Sequence, residues 1–258
     1  MNNPLLSIIT VCYNSEKTIK KTINSLLCQS FTNFEYIIID GKSSDKTMKI
    51  VKSFEENFKE KNIQFKWISE KDSGIYQAFN KGLKKVNGQW VSFLGSDDYY
   101  LNNALKDYAN EILNSNNNLD FIYSNVDILD ENENKIKSIN DNWSWAKFKR
   151  FMNIAHVGSF HNQNYFIKYG NFNESYKIAG DYELLLRAKE ELKTKKVDVI
   201  TTIMGSSGVS NHQISIAFKE TFKAKNKIGK VNYWICLFDY FLAITKYQTK
   251  IIISAIIR

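Results

Sequence analysis

Leu6-Ser-Ile-Ile-Thr-Val-Cys-Tyr-Asn14 and Ile37-Ile-Ile-Asp-Gly-Lys-Ser-Ser-Asp-Lys-Thr47 share one layout: a short β-branched run that stops abruptly at polar residues. Near-continuous apolar runs of this length mark strands buried on both faces, as in a parallel sheet. Between them, residues 15–29 place Ile19, Ile23, Leu26 and Leu27 on one helical face, with Asn14 or Ser15 as the cap. The alternation continues outward. Residues 34–40 form the second strand, and residues 45–58 carry Met48, Val51, Phe54 and Phe58 at helical spacing. Residues 63–70 are a third strand. Ile75, Phe79, Leu83 and Val86 mark another helix, and residues 90–94 a fourth strand. This order predicts an α/β fold, a mostly parallel central sheet flanked by helices.

Beyond residue 100 the pattern changes without a linker or repeat. Helices are expected over 102–113, 143–152 and 181–192. Strands are expected over 120–129, 135–139 and 197–204, with residues 131–134 turning the first into the second. With 258 residues, 43% of them hydrophobic, the chain has enough apolar material for a full core, which excludes a disordered class. The net charge of +8 calls for an anionic partner. Much of it lies in residues 217–258, where seven lysines and one arginine face only Glu220 and Asp239. That tail is rich in Trp, Tyr, Phe and Ile but too interrupted to span a bilayer. It reads either as an interfacial anchor on an anionic membrane or as a core or partner-facing helix. Three unpaired cysteines and no signal-peptide layout at the N-terminus place the protein in the cytoplasm.

In an open parallel sheet, ligands bind outside the carboxyl ends of the strands. Those positions hold Thr10, Val11, Tyr13 and Asn14 after strand one, and Asp40, Gly41, Ser43, Ser44 and Asp45 after strand two. Glu70, Asp72, Ser73 and Gly74 follow strand three, and Gly95, Ser96, Asp97 and Asp98 follow strand four. The first turn lacks the glycines of a dinucleotide fingerprint, and no P-loop occurs. A diphosphate would then need a divalent cation held by carboxylates. Asp97-Asp98 suits that duty with Mn or Mg, and equally suits a helix cap followed by a first-turn acid.

Taken in order, these two stretches, Ser69-Glu-Lys-Asp-Ser-Gly-Ile-Tyr-Gln-Ala-Phe-Asn-Lys-Gly82 and Phe93-Leu-Gly-Ser-Asp-Asp98 strongly resemble glycosyltransferase family 2. The resemblance runs from about residue 4 to residue 210. It implies a GT-A fold, inversion at the sugar carbon and a nucleotide-sugar donor, most often a UDP-sugar. It assigns Thr10, Tyr13, Asn14 and Asp40 to base and ribose, with Asp72 and Asn80 lining the same pocket; Val11, Ser43 and Ser96 complete the expected donor contacts. The family's DxD-type metal motif falls at Gly95-Ser96-Asp97, where Gly95 replaces the first acid. Asp97 matches the metal ligand, with Asp98 beside it. The segment Ala179-Gly-Asp-Tyr-Glu-Leu-Leu-Leu-Arg187 resembles the one that carries the catalytic base, which assigns Asp181, with Glu183 second. His156 matches a position on the acceptor side. His212 follows a loop that closes over the diphosphate in relatives, and is a further candidate metal ligand. Trp143, Trp145 and Phe148 would stack on sugar rings or, more simply, fill core.

The expected organisation is a nucleotide-sugar half (1–100), an acceptor and base half (101–212) and a basic helical tail (213–258). The expected acceptor is a lipid-linked saccharide of a surface polysaccharide such as an O-antigen or capsule unit, met at the inner face of the plasma membrane. A nucleotidyltransferase would need a Gly-rich basic phosphate loop, and a nucleic-acid binder would carry its charge on the sheet; neither feature is in the sequence. A non-catalytic nucleotide-sugar-binding module would need no base.

Overall fold

The computed structural model describes residues 3–115, 118–206, 208 and 213–256. The first half follows the alternation. Strands β1 (Leu6–Cys12), β2 (Phe34–Asp40), β3 (Gln64–Ser69) and β4 (Trp90–Gly95) pair in parallel, joined through helices α1 (Ile19–Leu27), α2 (Thr47–Lys52), α3 (Glu55–Glu60) and α4 (Ile75–Leu83). The single helix expected over 45–58 is two. The Ser53 hydroxyl donates to the Ile50 carbonyl at 2.7 Å, a side-chain bond that competes with the helical ladder where α2 stops.

The second half adds β5 (Tyr99–Tyr100), α5 (Ala104–Asn114), β6 (Phe121–Leu129) and β7 (Lys135–Ile139). It continues with α6 (Trp145–Phe148), β8 (Ser159–Asn162), α7 (Gln163–Tyr169), α8 (Gly180–Leu186) and β9 (Thr194–Gly205). Among the described residues the strands form one mixed sheet in the order β3-β2-β1-β4-β8-β6-β9-β5, with β7 hairpinned to β6. Strand β8 enters antiparallel between β4 and β6, and so welds the two halves into one sheet. Two helices expected from periodicity are shorter. The one over 143–152 shrinks to a single turn, because Phe148 is buried against Trp143 and Tyr182 and the Trp143 N–H is drawn to the Tyr123 hydroxyl. The one over 181–192 ends at Leu186, where Arg187 turns away to donate to the carbonyls of Tyr169 and Asn171.

The central strands are buried on both faces, and successive residues alternate between them. Leu6, Ile8, Tyr36 and Ile38 pack with α1 and α5 on one face; Ile9, Ile37, Ile39 and Phe93 pack with α4 and α8 on the other. Gly82 lets α4 lie close on β1, since a Cβ there would stand 2.7 Å from the Ile9 side chain.

The tail forms α9 (Ile214–Lys227) and α10 (Tyr233–Ile256), packed edge-on through Phe218, Phe222, Tyr233, Tyr240 and Tyr247. Asp239 of α10, 2% exposed, accepts from Lys225 of α9 and bidentately from Arg150 after α6. Burial opposes ionisation of Asp239, but these two cations outweigh it and hold the carboxyl below its ordinary range. The Asp239→Asn variant strands two cations at a buried site and should cost about 3 kcal/mol in urea unfolding at pH 7. Because the native carboxyl titrates low, wild type should keep this contribution at neutral pH and lose it only as pH falls through and below the ordinary carboxylate range. Equal stability of the two proteins at pH 7 would show that the clamp contributes nothing.

Candidate active site

The strand ends lie in register: Cys12 stands opposite Asp40, Asp40 opposite Ser69, and Val11 opposite Gly95. The residues that follow therefore emerge along one edge. Sheet order reverses at β1, and such a switch point opens a crevice between neighbouring loops. Hydrogen bonds lace those loops together. The Asn14 N–H donates to the Ser43 hydroxyl at 2.8 Å, the Ser44 N–H to Asn14 Oδ1 at 2.9 Å, and the Ser15 N–H to Thr47 at 2.7 Å. The Ser15 and Ser96 hydroxyls meet at 2.9 Å, which ties the β1 loop to the β4 loop. Asn14 takes a left-handed backbone, φ 50°, which asparagine tolerates.

Within this edge, Gly41 sits between Asp72 and Tyr13. A Cβ at position 41 would lie 2.9 Å from Asp72 Oδ2 and 3.3 Å from the Tyr13 ring. Tyr13 is 65% exposed, an unusual state for an aromatic side chain at a strand end, and offers a stacking face. Val11, Ser43, Asp72, Ser96 and Asp97 are half-buried, so each presents some surface. Thr10 and Asn80 do not join them. Thr10 is wholly buried beside Tyr36. Asn80 is turned to residues 172–174: its amide donates to the Phe172 carbonyl and to Glu174, and its carbonyl accepts from the Phe172 N–H. The Asn80 side chain is thus committed to residues 172–174, and that of Thr10 lies inside the sheet.

Burial separates the acids. Asp40, fully buried, accepts from the Ser43 N–H at 3.0 Å, the Ser69 hydroxyl at 2.6 Å and the Ser43 hydroxyl. It organises the loop from beneath. Asp98, also buried, accepts from the Gly205 N–H at 2.9 Å and the Gly95 N–H at 3.1 Å. Burial and then the neighbouring Asp97 push its carboxyl up to about 8. A side chain at Gly95 would have to occupy the place of the Asp98 carboxylate, which gives the missing first acid of the motif a steric reason. Asp97 remains as the half-buried carboxylate of the pair, packed against Gly205.

Among the described residues no three His, Cys, Asp or Glu side chains gather as a metal cage. One carboxylate still fits Mg or Mn, which are held by one or two acids together with substrate phosphates and water. His212 lies outside the described residues.

Asp181 stands in the first turn of α8, half-buried, with its Oδ1 3.3 Å from the Tyr76 hydroxyl. Glu183 is buried and bound bidentately by Arg187, at 3.2 and 2.5 Å, so its charge is already matched. The segment before Asp181 is seated on α4. Tyr76 donates to the Ile178 carbonyl at 2.6 Å and accepts from the Gly180 N–H at 2.7 Å, and a Cβ at Gly180 would collide with the Tyr76 ring at 2.6 Å. Sequence reasoning did not single out Tyr76; its i+4 neighbour Asn80 on the same helix face was the available signal. His156 is stacked on Phe93 with its Nε2 3.1 Å from that of His161. Burial lowers the tendency of both rings to take a proton, opposed at His156 by the charge of Asp181. Phe148 is fully buried and has no face for a sugar.

The family description "Glycosyl transferase family 2" matches residues 7–178. A PGL/p-HBAD biosynthesis glycosyltransferase of Mycobacterium tuberculosis is 27% identical over 239 residues, 89% of this chain and 88% of the relative. Among solved structures, TarS 1-349 of S. aureus in complex with UDP-GlcNAc superposes with TM-score 0.66 at 21% identity, over 85% of this chain and 64% of that one. Mannosyltransferase PcManGT of Pyrobaculum calidifontis, in complex with GDP-Man and Mn2+, superposes with TM-score 0.64 at 12% identity, over 96% of this chain and 76% of that one. The motif order, the mixed sheet and these likenesses agree: the chain belongs to glycosyl transferase family 2 and is a glycosyltransferase with the GT-A fold.

Proposed function

We propose that this enzyme transfers a hexose or N-acetylhexosamine from a UDP-sugar to a saccharide acceptor with inversion. The observation that carries the reading is the pairing of an open strand-end cradle with a half-buried acid fixed to the neighbouring helix. Tyr13 stacks on the base, with Val11, Asn14, Ser43, Asp72 and Ser96 around it and Asp40 supporting the loop. Residues 1–100 form this donor half, 101–212 the acceptor and base half, and 213–258 the tail. A fold neighbour that holds UDP-GlcNAc supports a UDP-sugar, and the neighbour with GDP-Man and Mn2+ supports a cation-assisted nucleotide-sugar site.

Asp181 takes the proton of the acceptor hydroxyl as its oxygen attacks the anomeric carbon. The bond from that carbon to the diphosphate breaks, and its electron pair leaves with UDP. Asp97 would hold the divalent ion, with His212 as a further candidate; the ion's chemistry is neutralisation of charge on the leaving diphosphate. Asp98 supports Asp97 from beneath by fixing Gly95 and Gly205. His156, buried against Phe93 and His161 within reach of the charge of Asp181, is assigned to the acceptor side by the family resemblance.

The acceptor proposed is a lipid-linked saccharide of a surface polysaccharide, met at the cytoplasmic face of the plasma membrane. No helix among the described residues is long and apolar enough to cross a membrane. Helix α10 instead exposes Trp234, Phe238 and Phe241, one stripe at helical spacing, on a tail with surplus positive charge.

Three outcomes are expected. Asp181→Asn should slow UDP release from a panel of UDP-sugars with acceptor by about 10²–10⁴-fold, while calorimetric UDP affinity stays put; near-normal turnover would remove the base assignment. Asp97→Ala should raise the Mn concentration for half-maximal turnover by at least about tenfold, since even outer partners of a bound metal are worth that much. An unchanged Mn response would sink the metal assignment. Replacing Trp234, Phe238 and Phe241 by Ser should abolish sedimentation with phosphatidylglycerol vesicles at low salt, and undiminished sedimentation would end the membrane reading.

A further inference from the structure

The residues before Asp181 are held from a second side by the tail. Glu220 of α9 reaches the segment ahead of α8 with both carboxylate oxygens. Its Oε1 accepts the Lys177 N–H at 2.7 Å; its Oε2 accepts the Ile178 N–H at 2.8 Å and the Ala179 N–H at 2.9 Å. Three successive amides converging on one carboxylate make a nest, and each bond is strengthened by the charge. From the other side Tyr76 binds the Ile178 carbonyl and the Gly180 N–H. The backbone from 177 to 180 is therefore gripped between α4 and α9, and the next residue is Asp181.

Glu220 is itself presented on a braced element. Helix α9 is tied to α10 by Lys225 and Asp239, and Asp239 also binds Arg150 of the catalytic half. Ring contacts of Phe218 and Phe222 with α10 add to this brace, and Lys223 one turn on covers the Tyr176 ring at 4.6 Å. The family match ends at residue 178, so this contact comes from a part of the chain beyond it.

We propose that Glu220 is a positioning residue for Asp181, and that the helical tail is thereby part of the active site. The inference rests on the reading of Asp181 as the base. A base must be held within a fraction of an ångström of its working place, and displacement by about 1 Å can cost on the order of a hundredfold in rate. Without the carboxylate, three amides lose their shared acceptor, and of the two side chains that grip the segment by hydrogen bonds Tyr76 is left. Asp181 then samples positions from which it does not reach the acceptor hydroxyl. Among the described residues, the hydrogen bonds that lace the loops after β1, β2 and β4, and the one Asp72 accepts from the Gly74 N–H after β3, do not involve Glu220. Donor binding should therefore be spared.

The test uses the full chain, the UDP-sugar that wild type turns over fastest, and four proteins: wild type, Glu220→Ala, Glu220→Gln and Asp181→Asn. The expected result for Glu220→Ala is a kcat lowered roughly 10–100-fold, with donor KM and calorimetric UDP affinity within about threefold of wild type. Glu220→Gln, which keeps one carbonyl acceptor, should fall between the two. A kcat within twofold of wild type in both Glu220 variants, with Asp181→Asn inactive, overturns the positioning role and leaves the base intact. Loss of UDP affinity in step with kcat also overturns it, since that signals general loosening. If Asp181→Asn keeps its turnover, the base reading fails and this inference falls with it. Should Glu220→Ala not fold, Glu220→Gln decides: a lowered kcat at unchanged KM supports the role, and an unchanged kcat refutes it.

Discussion

The close approach of the Tyr76 ring to Gly180 is the contact on which the arrangement of this enzyme depends. Tyr76 begins the helix that follows the third parallel strand, and Gly180 begins the helix that carries Asp181. The phenol occupies the space that any side chain at position 180 would need, and its oxygen serves one carbonyl and one amide of the same segment. Asn80 and Gln77, on the same helix, reach Phe172 and Glu174 just upstream. One helix, entered from the loop that carries Asp72, thus seats the segment that leads to the proposed base. Catalytic groups supplied from different strands and loops need such a shared support to hold their separation.

Carboxylates in this protein divide by burial rather than by position along the chain. Glu35, Asp40, Asp98, Asp127, Glu183 and Asp239 are buried, and each accepts hydrogen bonds: from Ser7, Asn87 and Lys66 for Glu35, serines for Asp40, amides for Asp98, Ser138 and Lys135 for Asp127, arginine for Glu183, and two cations for Asp239. A buried acid without such partners would be costly. Asp72, Asp97 and Asp181 keep part of their surface at the strand-end face or at the head of α8. The donor and acceptor chemistry proposed here draws on this second group, and of the first Asp40 and Asp98 hold the strand-end loops that present it.

The tail joins the body through chemistry distinct from that of its outer face. Inward it supplies Asp239, Lys225, Glu220 and a set of edge-packed aromatic rings. Outward α10 shows Trp234 at 72% and Phe238 at 63% exposure. Burial of those rings in a lipid interface would stabilise the bound state by the ordinary hydrophobic term. The same helix pair would then connect the membrane to the segment ahead of Asp181 through Glu220.

The fold was legible in the sequence because strand and helix periodicities are local. Runs such as residues 34–40 and the polar stops after them showed both the parallel sheet and the edge where the donor site is proposed, and the ordered motifs pointed to the family. What the linear order left open were choices between neighbours, Asp97 or Asp98 and Asp181 or Glu183, and it gave no sign that Thr10, assigned to base and ribose, is buried. Most of these turn on partners remote in the chain, although Glu183 is matched by Arg187 one turn on. Asp98 is bound by Gly205, 107 residues away, and Tyr76 reaches Gly180 across 104. The count of acids in the tail already isolated Glu220, yet only packing placed its carboxylate on three amides just ahead of α8. Periodicity reports which face of an element is apolar, whereas burial and hydrogen-bond partners arise when distant elements meet, and the duty of a carboxylate is set by those.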